Sequence, residues 1–138
     1  MVKITGGKAH KARLKRIRGP EMVREVGKAI YVASDLLKVE AQISITTGAV
    51  SGKNHVPSAP GEPPNADTHN LSDKIENAKT GPLTAETSSN AEYSADLEFG
   101  TSKMAERPYM RPAAQKTRPK AQKLVAAAVK KVANGGTL

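Results

Sequence analysis

The chain has 138 residues, a formal net charge of +9, no cysteine and no tryptophan, and 38% hydrophobic residues, many of them alanine. Without cysteine, a disulfide framework, a thiolate metal site and a cysteine nucleophile are all excluded. The length fits one domain, and a core this poor in large side chains is marginal enough to favour assembly.

No apolar run approaches the ~20 residues that cross a bilayer, and the basic N-terminal stretch lacks the apolar centre of a secretory signal. The expectation is a protein that folds in a cytoplasm and has no membrane contact. Charge is segmented: residues 1–18 carry +7, residues 19–100 carry −6 and residues 101–138 carry +8. Such a chain can pair with copies of itself or turn one end to nucleic acid.

In chain order, residues 1–18 form a basic arm, read either as a disordered or weakly helical tail or as a contact for DNA or an acidic surface. The candidates for that contact are Lys3, Lys8, Lys11, Arg13, Lys15, Arg16 and Arg18. A single α+β domain is expected over 19–134, with a short tail at 135–138. Gly19-Pro20-Glu21 reads as a helix start, since Pro suits the first helical position and Glu the positive end of the helix dipole. Met22, Val26, Ala29, Ala33 and Leu36 or Leu37 continue a stripe at three- and four-residue spacing, which predicts a helix of about 25 residues, roughly 38 Å long.

Residues 48–70 are rich in Pro and Gly and read as a long loop, functional or mobile. A strand meander is expected next: 71–79, 83–88, and 92–99 (EYSADLEF). In that last run Tyr93, Ala95, Leu97 and Phe99 alternate with Glu92, Ser94, Asp96 and Glu98, which predicts one core face and one polar face. The last helix runs to a stop at Asn134-Gly135-Gly136, with Pro119 either in its first turn or kinking a helix begun near Pro112. Ala121, Leu124, Val125, Ala128 and Val132 are its apolar stripe. The fold class is α+β: a long N-terminal helix, a three- to four-stranded antiparallel sheet, and a C-terminal helix packed on one sheet face.

Nothing in the sequence calls for catalysis, a cofactor or a metal. His10, His55 and His69 fall at no metal-ligand spacing, and ITGGK is too short for a phosphate-binding loop. Alternate carboxylates on one strand lie roughly 7 Å apart, as in paired-carboxylate hydrolases. Here, however, the aromatics fall on the opposite face and no cleft is implied. Glu92, Asp96 and Glu98 therefore read as a solvated face or an acidic surface for a basic partner. In ERPYMRP the residues before proline are held extended. Tyr109 and Met110 either plug the sheet-to-helix gap or, with Arg107 and Arg111, form an exposed interface finger.

YSADLEFGTSKMAERPYMRPA (93–113) resembles the signature of the lambdoid-phage "gene product ten" tail-component family, the neck or tail-completion proteins of long-tailed phages. SAPGEPPNADTHNLSDKIE (58–76) resembles the family's proline-rich stretch before D-T-G-x-L-x-x-S-I, with His69 in place of Gly and Asp73-Lys74 in place of the usual polar-Ser pair. The resemblance implies a structural virion protein of the head–tail junction, a neck, tail-completion or tail-terminator ring joining the capsid connector to the tail around the DNA channel. It implies a homo-oligomeric ring, six-fold or else twelve-fold, touching connector or stopper proteins and tail-tube or terminator proteins, with non-specific contact to genomic DNA. Asp96, Glu98, Phe99, Gly100, Thr101, Arg107, Pro108, Tyr109, Arg111 and Pro112 are then candidates for the subunit or partner interface. The acidic face around Asp96 and Glu98 is expected to meet the basic arm or tail of the next subunit. The alternative is a basic nucleic-acid-binding structural protein that uses its N-terminal arm, with steep salt dependence and little sequence preference.

Overall fold

The structure, a computed structural model, describes residues 5–46, 57–61, 64 and 70–135. Lys3, His55, His69, most of the 48–70 loop and residues 136–138 lie outside them. The elements are α1 (Gly7–Ile17), α2 (Pro20–Thr46), α3 (Asn70–Asp73), β1 (Ile75–Gly81), β2 (Thr84–Ser89), α4 (Ser94–Phe99) and α5 (Met110–Ala133).

The arm holds a helix of its own, α1, none of whose residues is buried. Gly19 separates it from α2, which begins at Pro20 as its sequence predicts and runs for 27 residues. α5 lies antiparallel against α2. The N-terminal half of α2 meets the C-terminal half of α5 in a cluster of Val26, Ala29 and Ala128, flanked by Met22, Ile30 and Val125. Small side chains let the two helices approach closely there, so little apolar volume holds this end together. Nearer the other end of α2, Lys116 Nζ on α5 reaches Glu40 Oε1 at 2.7 Å. Pro119 lies inside α5, so the second of its two sequence readings, a helix begun near Pro112, is the one adopted.

The second cluster joins the C-terminal half of α2 to everything that follows: Ala41, Ile45, Leu71, Ile75, Ala91, Tyr109 and Ala113, with Leu97 and Met110 against it. Tyr109, Ile45 and Ile75 are its largest fully buried side chains, and burying each stabilises by about 1.5–3 kcal/mol.

β1 and β2 form a two-stranded antiparallel hairpin with Ile75 opposite Ser89 and Asn77 opposite Thr87. An isolated hairpin is marginal in water, and α2 supports this one. The register partners Asn77 and Thr87 both bond to Ser34, through its hydroxyl at 3.4 Å and its carbonyl at 2.8 Å. At the hairpin tip, a Cβ on Gly27 would stand 2.5 Å from the Pro82 carbonyl oxygen. Only a glycine lets the turn lie against the helix this closely.

Two expectations are corrected. Residues 92–99 are not a strand: Ser94–Phe99 is helical, and the described residues contain two strands, not three or four. The segment has no Val, Ile or Thr, whereas Ala95, Leu97 and Glu98 favour helix. Gly100 at φ +77° ends the helix. Nor is α5 laid on a sheet face. The helix-facing side of the hairpin is mostly polar (Asn77, Ala85, Thr87), so α5 packs on α2 and the hairpin takes a different flank of α2.

Candidate docking surface

The segment that carries the resemblance folds around one carboxylate. Glu98, 7% exposed, accepts the backbone N–H of Tyr109 and Met110 on Oε2 at 2.8 and 3.0 Å and that of Arg111 on Oε1 at 2.8 Å. These are the amides that α5 cannot satisfy within its own first turn. An anion there also meets the positive end of the helix dipole. The Tyr109 side chain is 1% exposed, and its hydroxyl lies 2.6 Å from Ser89 Oγ, which lies 3.0 Å from Ser94 Oγ. The polar end of the buried ring is thus satisfied by β2 and α4 together.

The connection between α4 and α5 is tied along its length. Gly100 N–H donates to Asp96 O, the backbones of Thr101 and Met104 bond each other, and Arg107 N–H donates to Leu97 O at 2.6 Å. A Cβ at Gly100 would lie 2.9 Å from the Glu106 nitrogen. Arg107 Nε donates to Ser58 O, and Gly61 N–H donates to Glu106 O, so residues 57–61 are fastened to this connection as well.

This rigid connection divides the predicted interface residues. Glu98 and Tyr109 are inside the subunit and cannot be offered to a neighbour; Tyr109 plugs the gap between sheet and helix and is not a finger. Arg107, Pro108 and Gly100 are half-buried. Asp96, Phe99, Thr101, Arg111 and Pro112 reach the surface. Phe99 and Tyr93, expected in the core, are exposed, Phe99 at 66%. Helical geometry turns them out, since Ala91, Ser94 and Glu98, at three- and four-residue spacing, take the inner face. The Arg111 guanidinium sits over the Phe99 ring, 5.8 Å from its centroid, so the two present one apolar and cationic knob.

The basic arm also divides. Lys8, Lys11 and Lys15 on α1 and Arg18 at its C-cap follow one another at spacings of three, four and three residues, and all four are exposed. Helical periodicity sets the three lysines on one face within about 60°. Arg13 is exposed on another flank. Arg16 is committed to the fold: its Nε and Nη2 donate to the Ala133 carbonyl at 3.3 and 3.1 Å, capping the negative end of α5.

A third surface was not singled out by the sequence reading. Val32 and Leu36 of α2 and Lys120, Lys123, Leu124 and Ala127 of α5 line an open groove of about 430 Å³. Val32 and Val39 are 47% and 42% exposed. The signal was present: α2 holds more large apolar residues than a single stripe can bury, and Val32, Leu36 and Val39 make a second stripe at four- and three-residue spacing.

Among the described residues there is no group of three or more His, Cys, Asp or Glu side chains able to hold a metal, and no helix is long and apolar enough to cross a membrane. Neither a protein-family model, nor a curated protein sequence, nor a solved structure matches this chain.

Proposed function

We propose that the protein is a non-catalytic structural subunit of a virion, built into the neck, tail-completion or tail-terminator ring at the head–tail junction of a long-tailed phage. The resemblance of residues 93–113 to that family suggests the reading. The observation that carries it is the construction of this segment: Glu98 and Tyr109 lock it internally, while Phe99, Arg111 and Asp96 are held outward as a docking element. Rigid presentation of aromatic and arginine side chains lowers the entropic cost of assembly. Two small core clusters and an exposed apolar stripe on α2 fit a subunit that neighbours complete. Its partners in this reading are copies of itself and the connector, stopper, tail-tube or terminator proteins on either side. The test is whether the chain belongs to a particle. Mass spectrometry of purified virions should find it, and disrupting its gene should leave filled heads beside unattached tails. Infectious tailed particles assembled without it would sink the reading.

A second reading is favoured by the exposed row Lys8, Lys11, Lys15 and Arg18: contact with a phosphate backbone, alone or within a DNA channel. Each phosphate neutralised changes the slope of log affinity against log salt by about 0.9. The double substitution Lys8→Ala, Lys11→Ala should therefore flatten that slope by about two phosphates' worth in a duplex-binding titration. An unchanged slope would remove these residues from any DNA contact.

A further inference from the structure

We infer that the basic row of α1 and a second row on the C-terminal half of α5 form one surface that grips the backbone of a nucleic-acid duplex. This rests on the reading of the α1 row as a phosphate contact, and adds to it a second helix and the duplex form of the partner. On α5, Lys120, Lys123 and Lys130 fall within about 80° of one another by helical periodicity, and all three are exposed. Arg16 makes the joint between the rows, its Nε and Nη2 holding the Ala133 carbonyl. Lys15 adjoins Arg16 in the chain and Lys130 stands three residues before Ala133. The two rows therefore meet at one end of the molecule.

A solvated helix face usually mixes its charges, and these two do not. Neither α1 nor α5 contains an Asp or Glu. Among the described residues the ion pairs take up Arg24, Lys28 and Lys116 and leave both rows without a carboxylate partner. Like charges one helical turn apart destabilise a helix, and α1 has no buried residue to offset them. The missing counter-charge comes from outside the subunit, on a partner whose anions repeat along the ~15 Å that each row spans.

Charge density and the lack of aromatics choose that partner. A duplex carries one negative charge per ~1.7 Å of its axis, so phosphates outnumber cations everywhere along a row. Single strands are held by aromatic side chains that stack on their bases, and neither helix has a Phe, Tyr or Trp. Anionic membranes take helices whose other face is free, bulky and apolar. Behind its lysine row, α5 is instead packed on α2 through Val125 and Ala128. Contacts confined to the phosphate backbone carry little sequence preference.

The test is a salt titration of the full chain on a short fluorescent DNA duplex. Lys120→Gln, Lys123→Gln and Lys130→Gln together should lower the slope of log affinity against log salt by about 2.7, and each alone by about 0.9. A single strand of the same length should bind more weakly, and a duplex of scrambled sequence equally well. Arg118→Gln, on a flank of α5 at least about 120° from each row lysine, should leave the slope unchanged. Circular dichroism checks that each variant is folded. If the α5 variants keep the natural slope while Lys8→Ala with Lys11→Ala lowers it, the arm contact stands and the shared surface is overturned. If the Lys8→Ala, Lys11→Ala pair leaves the slope unchanged, both fall. An Arg118→Gln effect equal to that of a row lysine would also overturn the shared surface, reducing the attraction to net charge. So would tighter binding of the single strand, or phosphatidylserine vesicles that hold the chain against excess duplex, which would make this a membrane contact.

Discussion

Glu98 and Arg111 are thirteen residues apart, yet the carboxylate of one accepts the backbone N–H of the other at 2.8 Å, the last of three such bonds at the start of α5. A side chain from one short helix thereby serves as the N-terminal cap of the longest helix after it. Tyr109, at the cap position, forms no side-chain cap of its own.

Glu98→Ala would leave the buried Tyr109 amide without a partner and the partly exposed amides of Met110 and Arg111 to water. The expected loss is about 1–3 kcal/mol, the cost of one unsatisfied buried donor. Glu98→Gln keeps an acceptor and should lose less. Urea denaturation of the three proteins checks the order; equal stability of Glu98→Ala and the natural protein would show that the carboxylate is not what holds the start of α5.

At Tyr109 the ring and the hydroxyl can be separated. Tyr109→Phe removes the bond to Ser89 Oγ but leaves Ser89 bonded to Ser94, so the expected cost is about 1 kcal/mol. Tyr109→Ala empties the centre of the larger cluster and should cost about 3–5 kcal/mol. Denaturant midpoints of both variants report the difference; similar losses would mean that the hydroxyl network, not the ring, secures the joint.

Gly27→Ala sets two effects against each other. Alanine favours the helix by about 1 kcal/mol, but its Cβ would approach the Pro82 carbonyl oxygen to 2.5 Å. Backbone must move to relieve that contact, and overpacking of this kind costs about 1–3 kcal/mol. A net destabilisation is expected in thermal melts, with the hairpin displaced from α2. A rise in melting temperature would show that the turn shifts freely.

Arg16→Ala should detach α1 from the end of α5 while changing global stability by only about 1 kcal/mol, because its two bonds to Ala133 are partly exposed. Limited chymotrypsin cleavage after Leu14 should accelerate severalfold, with cleavage after Phe99 unchanged. Equal cleavage rates in the two proteins would mean that α1 is not held by this contact.

Parts of this were legible in the sequence for identifiable reasons. Pro20 and Asn134-Gly135 punctuate α2 and α5, and helical spacing marks Val26, Ala29, Ala128 and Val132 as core. The run 92–99 was misread because eight residues of alternating polarity also fit about two helical turns, with Ala91, Ser94 and Glu98 inward in place of Tyr93 and Phe99. The cap by Glu98 could not be read at all: its partners are main-chain groups across a loop whose path no side-chain pattern records. The α2–α5 groove was readable in outline, as apolar residues left over once one stripe had been assigned.

The two core clusters both rest on α2 but near its opposite ends, with Val26 and Ile45 separated by about 29 Å along the axis. α5 and the hairpin, whose tip meets α2 at Gly27, both run between them, and the stretch between carries the half-exposed Val32 and Val39. Amide hydrogen exchange along α2 should therefore be graded in two blocks. The end packed on Ala128 opens at lower free energy than the end packed on Tyr109 and Leu71. A neighbouring subunit laid on that exposed stretch, as the ring reading expects, would bridge the weaker block to the stronger, and α2 would then open and close as one unit.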